Sequence, residues 1–536
     1  MAHVFTNGIH KQIWDQIAPA PNAHAAGMGM CSDLRNDRSR NPFVYQLASN
    51  TVLNRYNGMQ KSWNFIVSPA LAGTFGAGAG CVFAPSHGLT GTISTGCTTM
   101  AITTSTAITA VAPNMFANRG GAGEYGFRVR ITGKVSGKTE EKWIVANTGG
   151  TTPTLYLDSA LTFTPASGDT YEILGGRVFM LGAGTLASGS WKSFEVAANT
   201  LATKTQTNLP ATVSTEFSAI ALDELYVPYD REPGEGMIVG ASTYNNATLK
   251  CLLATAVATS TITGQASAGD AAVLANEYRN FQIRIVEDTT TPAAVGQRRI
   301  IASHTAGPSA VYTLGSAWTT NPSANAKFVI ELPNLIVLWS SGGTTTYTYN
   351  YGTASVTNGT NTIAADAWST TYFSVRGAAM AAGCTSFASF GIEPDAQRNA
   401  RHSYIYSFRG GSTSLDLFDI ANTITGAWTS AIVYDGSGMA TPGAGTCGQY
   451  SPVDQEGRYG YINGYVASQI SQMYRFDVKN RVLTCITPTE WLQTGTAAVG
   501  DRVATYAVFD TDSTPYTAVL LNSHLSTVSF ELIVEI

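Results

Sequence analysis

The chain has 536 residues and a formal net charge of -5, from 31 basic and 36 acidic side chains. Only 12% of its residues are charged, about half the ~25% typical of soluble domains, whereas 44% are hydrophobic. Disorder requires the reverse balance, collagen requires glycine at about every third residue, and binding to a nucleic-acid backbone favours a strong basic excess. We therefore exclude disordered and collagen-like protein, and expect no sequence-specific binding to nucleic acid.

The first 40 residues differ from the rest of the chain and are predicted to form an N-terminal docking arm. The apolar spacing from Ile9 to Ile17 predicts a short amphipathic helix, which Pro19 and Pro21 would end because proline lacks a backbone donor. No apolar run follows a basic cluster, and no stretch reaches the ~18 apolar residues that span a bilayer. We expect no secretory signal and no membrane insertion.

The cysteines are odd in number and widely spaced, which suits neither a zinc site nor a small disulfide scaffold. Free thiols in a reducing cytosol are the favoured interpretation. One pair, Cys81 and Cys97, lies close enough in sequence for a local bridge, and the sequence leaves that question open. The seven cysteines are Cys31, Cys81, Cys97, Cys251, Cys384, Cys447 and Cys485.

From about residue 40 onward, short β-branched and aromatic runs alternate with Gly, Ser, Asn and Thr clusters, which predicts an all-β protein. A segment near residues 115–174 resembles one near residues 273–332, with apolar residues at alternate positions as on one face of a strand. We expect two copies of one small antiparallel β domain. The matched residues are Phe127, Val129 and Ile131 with Phe281, Ile283 and Ile285; Trp143 and Val145 with Ile300 and Ala302; Leu155 and Leu157 with Tyr312 and Leu314; and Tyr171 and Ile173 with Phe328 and Ile330.

A looser repeat fills the remainder: an apolar strand, small or Gly residues, a second strand with an aromatic residue, and often Asn or Asp and a Trp. It is clearest over residues 404–428 and 459–478, and it resembles kelch repeats, each a four-stranded propeller blade. Inner strands buried on both faces read as continuous apolar runs, and the aromatic residues are expected to fill the gaps between sheets. The predicted blade starts, about seven in number, lie near Phe43, Val178, Met237, Leu335, Tyr404, Tyr459 and Val503.

The predicted fold is therefore an all-β, kelch-like β-propeller with two small antiparallel β domains inserted into it. A stack of separate β-sandwiches is the alternative. The predicted organisation is an arm over residues 1–40, a first blade over 41–80, an inserted domain over 81–174, blades over 175–250, a second inserted domain over 251–332 and the remaining blades over 333–536.

No residues in the sequence have the spacing of a catalytic or metal site. The seven histidines include no pair with metal-ligand spacing, and His304 falls in a predicted loop. We predict that the protein is not an enzyme and has no catalytic residue, metal or cofactor.

Two charged segments are candidates for binding. The densest acidic stretch, residues 221–236, suits a cation or carbohydrate site, or a solvated loop in which Arg231 pairs with its acidic neighbours. A mixed-sign group near residue 35 suits a protein interface or, slightly better, a self-paired loop. These residues are Asp223, Glu224, Asp230, Glu232 and Glu235 in the first segment, and Asp33, Arg35, Asp37, Arg38 and Arg40 in the second.

The duplicated module has a strand, a Gly- or Thr-rich turn, another strand, a Pro-containing turn and a Tyr-Glu-Ile (171–173) or Phe-Val-Ile (328–330) ending. It resembles small β modules in virion proteins of tailed bacteriophages, and propellers with inserted β domains are similar to the tail nozzle and neck proteins of such phages. The resemblance implies a multi-copy structural component of a tail, neck or nozzle in the virion, assembled in the host bacterial cytoplasm. It implies a homo-oligomeric ring that contacts other virion proteins on the tail, neck or portal-adaptor side, and it transfers no catalytic residues.

The low charge content, with 24 Tyr, 21 Phe and 9 Trp, fits a surface covered by other subunits. One alternative is a propeller of a tail or capsid surface that binds carbohydrate or a host receptor, for which the partner would be a host surface glycan. A less favoured alternative is a glycan-active enzyme or an oxidase. That alternative requires carboxylates, or Tyr with His, to converge at the propeller mouth.

Overall fold

The computed structural model shows an all-β chain. It describes residues 14–17, 19–21, 29–32, 43–49, 52–58, 60–65, 75, 79–84, 88–109, 111–117, 126–182, 184–185, 190–209, 212–213, 217–222, 244–246, 249–264, 274–307, 309–381, 384–390, 403–436, 447–450, 459–464, 472–478, 480–486, 502–509, 515–522 and 529–534. A short 3-10 helix, Pro292–Ala294, interrupts the strands.

The first strands in chain order are β1 (Trp14–Ile17), β2 (Met30–Ser32), β3 (Phe43–Ser49), β4 (Val52–Asn57), β5 (Ser62–Phe65), β6 (Gly80–Ala84), β7 (Leu89–Thr92), β8 (Ala101–Thr103), β9 (Arg128–Gly133), β10 (Lys138–Asn147), β11 (Thr154–Leu157), β12 (Thr170–Ile173), β13 (Arg177–Leu181), β14 (Gly184–Thr185), β15 (Trp191–Glu195), β16 (Thr200–Thr203), β17 (Thr212–Val213), β18 (Phe217–Ala221), β19 (Tyr244–Asn246), β20 (Leu249–Ala258) and β21 (Thr261–Gly264). The remaining strands are β22 (Gln282–Glu287), β23 (Arg298–His304), β24 (Val311–Leu314), β25 (Lys327–Glu331), β26 (Leu335–Ser340), β27 (Tyr347–Asn350), β28 (Val356–Thr357), β29 (Thr362–Ile363), β30 (Ala367–Ser369), β31 (Thr385–Phe390), β32 (Ser403–Phe408), β33 (Leu415–Asp419), β34 (Ala427–Thr429), β35 (Cys447–Tyr450), β36 (Tyr459–Gly464), β37 (Gln472–Asp477), β38 (Val482–Cys485), β39 (Arg502–Phe509), β40 (Pro515–Asn522) and β41 (Ser529–Val534).

Six antiparallel sheets of four strands each form a propeller-like arrangement in the described ranges. In chain order they are β2-β3-β4-β5, β6-β13-β15-β16, β18-β26-β27-β30, β31-β32-β33-β34, β35-β36-β37-β38 and β39-β40-β41-β1. We refer to them as sheets 1 to 6. The first strands of successive sheets contact one another, from β2 through β6, β18, β31 and β35 to β39, and β39 in turn contacts β2.

The same local conformation precedes the fourth strand of sheets 1 to 5. The residue before the fourth strand has a positive φ, and the second residue of the fourth strand is a Trp or Leu that pairs with an aromatic residue of the third strand. Because a left-handed residue turns the chain sharply, it directs the chain into the outer strand of each of these sheets. The left-handed residues are Lys61, Asn199, Asp366, Gly426 and Arg481. The cross-strand pairs are Tyr56 with Trp63, Phe194 with Leu201, Tyr349 with Trp368, Phe418 with Trp428 and Phe476 with Leu483.

Aromatic side chains fill the space between neighbouring sheets, as the sequence predicts. Between sheets 2 and 3, the ring of Trp191 lies 5.2 Å from the rings of both Tyr349 and Trp368. Between sheets 4 and 5, the ring of Phe476 lies 5.7 Å from Phe387 and 5.4 Å from Tyr406. Such contacts contribute about 0.5–1.5 kcal/mol each beyond the burial of apolar area.

Two further groups of strands form barrels, which we call module 1 (β7–β12) and module 2 (β20–β25). In module 2 the strand order β20-β25-β22-β23-β24-β21 returns to β20, so the barrel closes through ladder pairings alone. Module 1 has the corresponding order β7-β12-β9-β10-β11-β8, and a bridge between Ile93 and Thr104 closes it.

The residues matched in the sequence occupy the same places in the two modules. Tyr171 pairs with Ile131 in module 1, and Phe328 pairs with Ile285 in module 2. Likewise Ile173 pairs with Val129, and Ile330 with Ile283. All eight side chains are buried in the cores. The alternation in the sequence thus places equivalent residues in equivalent contacts.

The N-terminal segment differs from the predicted docking arm, because two of its parts are strands of the propeller-like sheets. Strand β1 pairs with β41, with Trp14 opposite Leu532, so the helix predicted from Ile9 to Ile17 is wrong over residues 14–17. Strand β2 is the first strand of sheet 1. An outer sheet edge exposes unpaired backbone groups, and β1 satisfies those of β41.

Six of the seven predicted blade starts lie in six different sheets, and Met237 lies outside the described residues. The domain boundary predicted at residue 81 falls inside β6, which pairs with β13 as the first strand of sheet 2. At the other predicted boundary, residue 251 lies inside β20, a strand of module 2.

Removal of residues 1–17 should destabilise the protein by about 1–3 kcal/mol, because it exposes the edge of β41. The measurement is the thermal unfolding midpoint, with aggregation followed by light scattering. Removal of residues 1–13, which keeps β1, is the control and should behave like the full chain. Equal midpoints for the two truncations would contradict the role of β1.

Candidate functional site

Modules 1 and 2 face each other across the polar outer surfaces of their barrels. Lys138 of β10 pairs with Glu287 of β22, and the Asp288 backbone N–H donates to the Gly137 carbonyl at 2.7 Å. Gly137 has a φ of 70°, and a Cβ there would lie 2.2 Å from the Asp288 carbonyl oxygen. Only glycine allows this close approach.

A chain of alternating charges joins the two modules. It consists of four arginines and three glutamates, and each glutamate contacts two arginines. In order, Arg128 Nη2 lies 2.9 Å from Glu141 Oε2, Arg130 Nε 2.7 Å from Glu141 Oε1, Arg130 Nη1 2.8 Å from Glu172 Oε2, Arg298 Nη2 3.3 Å from Glu172 Oε2, Arg298 Nε 3.3 Å from Glu331 Oε1, and Arg284 Nε 3.1 Å from Glu331 Oε2.

Burial makes these charges sensitive to one another. The pKa of Arg284 is lowered to about 10, mainly by burial and then by the neighbouring positive charge of Arg130, while Glu331 opposes the shift. Burial alone would raise the pKa of Glu331, but Arg284, Arg298 and Arg130 together hold that pKa below its usual value. The charged forms therefore depend on the whole set and not on any single pair.

A cleft of about 490 Å³ opens between the modules beside this chain of charges. Its walls come from β7, β9 and β12 of module 1 and from the segment around β22 and β23 of module 2. Four cationic side chains and one carboxylate line it, together with several threonines. The lining residues are Thr90, Gly91, Thr92, Arg130, Thr132, Lys134, Thr170, Tyr171, Glu172, Arg284, Ala293, Val295, Gly296, Gln297, Arg298 and Thr353.

Arg130 and Arg284 occupy the same position in the duplicated module. Arg130 lies between Val129 and Ile131, and Arg284 lies between the matched residues Ile283 and Ile285. The sequence shows this shared arginine in Arg-Val-Arg-Ile (128–131) and Gln-Ile-Arg-Ile (282–285). The match between the two modules rests on apolar residues alone, so it does not include these arginines. The outward-facing arginine of this strand is thus common to both modules.

The two charged segments proposed from the sequence lie outside the described residues. Residues 223–243 contain Asp223, Glu224, Asp230, Glu232 and Glu235, and residues 33–42 contain Arg35, Arg38 and Arg40. The residues that line the cleft are therefore not among the binding candidates that the sequence predicts.

His304 is the last residue of β23 and is buried, which corrects the loop predicted there. Its Nε2 accepts the Tyr278 backbone N–H at 2.9 Å, and its Nδ1 lies 2.9 Å from the Thr305 carbonyl oxygen. This arrangement fits a neutral imidazole that donates from Nδ1. Burial lowers its pKa, partly opposed by the bond to Thr305 and reinforced by Arg279.

Cys81 and Cys97 are free thiols, so the local bridge left open by the sequence is not formed. The Cys81 Sγ lies 4.0 Å from the Tyr45 carbonyl oxygen, and the Cys97 Sγ lies 3.4 Å from that of Ser94. Among the residues described, no cluster of three or more His, Cys, Asp or Glu side chains is arranged to hold a metal ion. Within the same ranges, no helix has the length and apolar composition that a membrane crossing requires.

No family model and no curated protein matches the chain. Among solved structures, AofleA from Arthrobotrys oligospora is 8% identical, with a TM-score of 0.33 over 99% of this chain and 88% of that one. The BP39L lectin from Burkholderia pseudomallei is 10% identical, with a TM-score of 0.28 over 96% of this chain and all of that one. At these scores the likeness supports no inference about function.

Replacing Glu141 with Gln should destabilise module 1 by about 3–5 kcal/mol, because it leaves the buried charges of Arg128 and Arg130 without their shared carboxylate. The measurement is chemical denaturation. The matched control is Glu287→Gln, which breaks a partly exposed pair with Lys327 at 2.9 Å and should cost less than about 1 kcal/mol. Equal losses for the two variants would contradict the buried network.

The lowered pKa of His304 predicts a pH dependence of stability. Above pH 6.5, the ordinary pKa of histidine, the ring is neutral in both the folded and the unfolded chain. Below that pH the unfolded chain binds the proton more readily than the folded chain, so the free energy of unfolding should fall as the pH drops. The fall is at most about 1.4 kcal/mol per pH unit. His304→Gln should show a smaller fall in thermal midpoint between neutral pH and pH ~5.5 than the unmodified protein. Parallel profiles would contradict this assignment.

Proposed function

We propose that the chain is a non-catalytic structural protein of a tailed-bacteriophage virion, in which a six-bladed propeller carries two inserted β-barrel domains. The observation that carries the proposal is the place at which the two modules leave the propeller-like sheets. Module 1 lies between β6 and β13, the first and second strands of sheet 2. Module 2 lies between β18 and β26, the first and second strands of sheet 3.

Equivalent connections of neighbouring blades lie on the same rim of a propeller, because all first strands run in the same direction relative to the axis. Both modules therefore extend from one rim, and this explains how they contact each other. Module 2 is also held to sheet 4, where Asn280 Nδ2 donates to the Ile420 carbonyl at 2.7 Å. The arrangement suits a rigid scaffold that presents a two-barrel head to partners.

An exposed apolar patch on module 1 supports a role in assembly. Tyr156 pairs with Ala101 and Ala146 on either side, and it is 42% exposed. Val145, beside Ala146, is 54% exposed, and Met100, beside Ala101, is 42% exposed. Cross-strand neighbours lie about 5 Å apart, so Tyr156, Ala101 and Ala146 form one apolar surface across β8, β11 and β10, and the exposed Met100 and Val145 are next to it in the chain. A virion partner or another copy in a ring would cover it.

The test is the assembly state of the full chain, measured by light scattering across a wide concentration range, and its partners in purified particles. We expect a ring or a stable complex with another virion protein. Tyr156→Lys should weaken that association. Val433→Lys, which places the same charge at a valine that is 85% exposed beyond β34, should leave it intact. A monomer at every concentration, absent from any particle, would contradict the proposal.

A second candidate is a propeller that binds a carbohydrate on the host surface, and the polar cleft between the modules favours it. In this case a glycan array should give specific binding that the assembly variant Tyr156→Lys retains. Absence of binding to any glycan would reject this candidate and leave the assembly role unaffected.

A further inference from the structure

The cleft between the modules has a strongly unequal charge. Its lining contains the cationic groups of Arg130, Lys134, Arg284 and Arg298 and the single carboxylate of Glu172. One oxygen of that carboxylate, Oε2, already lies 2.8 Å from Arg130 and 3.3 Å from Arg298. Glu141 and Glu331, which are not part of the lining, also contact Arg130, Arg284 and Arg298. The four arginines of the network therefore face three carboxylates, and Lys134 adds a further positive charge at the cleft.

Lys134 stands at the edge of this cleft in the turn after β9. Its backbone N–H donates to Asp169 Oδ1 at 2.8 Å, which fixes the main chain at this point. Its side chain is exposed, and no carboxylate in the described parts of the chain lies within ion-pair distance of its ammonium group. The ammonium is therefore available to a ligand in the cleft.

The remaining walls of the cleft carry threonine hydroxyl groups, and a glycine there leaves room for a ligand. Thr90 and Thr170 line the module 1 side, and Gly296, with a φ of 85°, lines the module 2 side. A Cβ at Gly296 would lie 3.2 Å from the Thr132 methyl group, so a larger residue would narrow the cleft as well as strain the backbone. Threonine hydroxyls both donate and accept hydrogen bonds, as recognition of a hydroxyl-bearing molecule requires.

We propose that this cleft binds an oxyanion, carboxylate or sulfate, carried by a saccharide. The anionic group would lie between Lys134 and Arg298, where charge-assisted hydrogen bonds are short and strong. The sugar hydroxyls would face the threonines.

This inference does not depend on a role in a virion, and its test uses the full chain in isolation. The probes are glucuronate, glucose 6-sulfate and glucose, titrated by calorimetry at constant ionic strength, with inorganic sulfate in a separate arm. We expect both acidic sugars to bind and neutral glucose not to bind. Absence of binding by both acidic sugars would overturn the proposal. Binding of inorganic sulfate as tight as that of glucose 6-sulfate would overturn its saccharide part.

The variants Lys134→Gln and Lys61→Gln locate the site. Both remove one positive charge, but Lys61 lies in the turn before β5 of sheet 1, outside the cleft. Lys134→Gln should weaken binding about tenfold, equivalent to about 1.4 kcal/mol, whereas Lys61→Gln should leave it unchanged. Arg298→Gln should weaken binding as well, with thermal unfolding measured alongside to confirm folding. Equal affinities in Lys134→Gln and Lys61→Gln would overturn the proposal.

Discussion

The packing of aromatic side chains between successive four-stranded sheets is the interaction on which the rest of the structure depends. Trp191 of sheet 2 contacts Tyr349 and Trp368 of sheet 3, and similar contacts join sheets 4 and 5. A sheet covered on both faces has little room for charged side chains, because burial of an unpaired charge is costly. The low charged fraction of the chain thus follows in part from its architecture, independently of any covering subunit.

Charges are concentrated where the two modules meet. The barrels have apolar cores, and their polar outer faces are joined by the alternating arginines and glutamates. Apolar packing builds each unit, whereas ion pairs and hydrogen bonds fix one unit relative to the other. Paired charges of this kind add orientation more than stability, so the position of the modules depends on a few residues such as Glu172 and Arg298.

The sequence is a good guide to the features that depend on local pattern. The duplicated module follows from apolar residues at every second position, and six of the predicted blade starts, read from short continuous apolar runs, lie in six different sheets. The N-terminal strand is missed because Trp14 pairs with Leu532, at the other end of the chain, and no local pattern reports such a partner. The cleft is missed for the same reason, since Glu172 and Arg298 are 126 positions apart.

The ion pair between Glu172 and Arg298 joins the two modules and, with the strand pairing of β10 and β22, holds them together as one head. A double-mutant cycle on Glu172→Gln and Arg298→Gln tests it most directly, with the free energy of unfolding as the readout. The two losses should not be additive, with a coupling of at least about 0.5–1 kcal/mol. Additive losses would show that the two side chains are not coupled and that their ion pair does not join the modules.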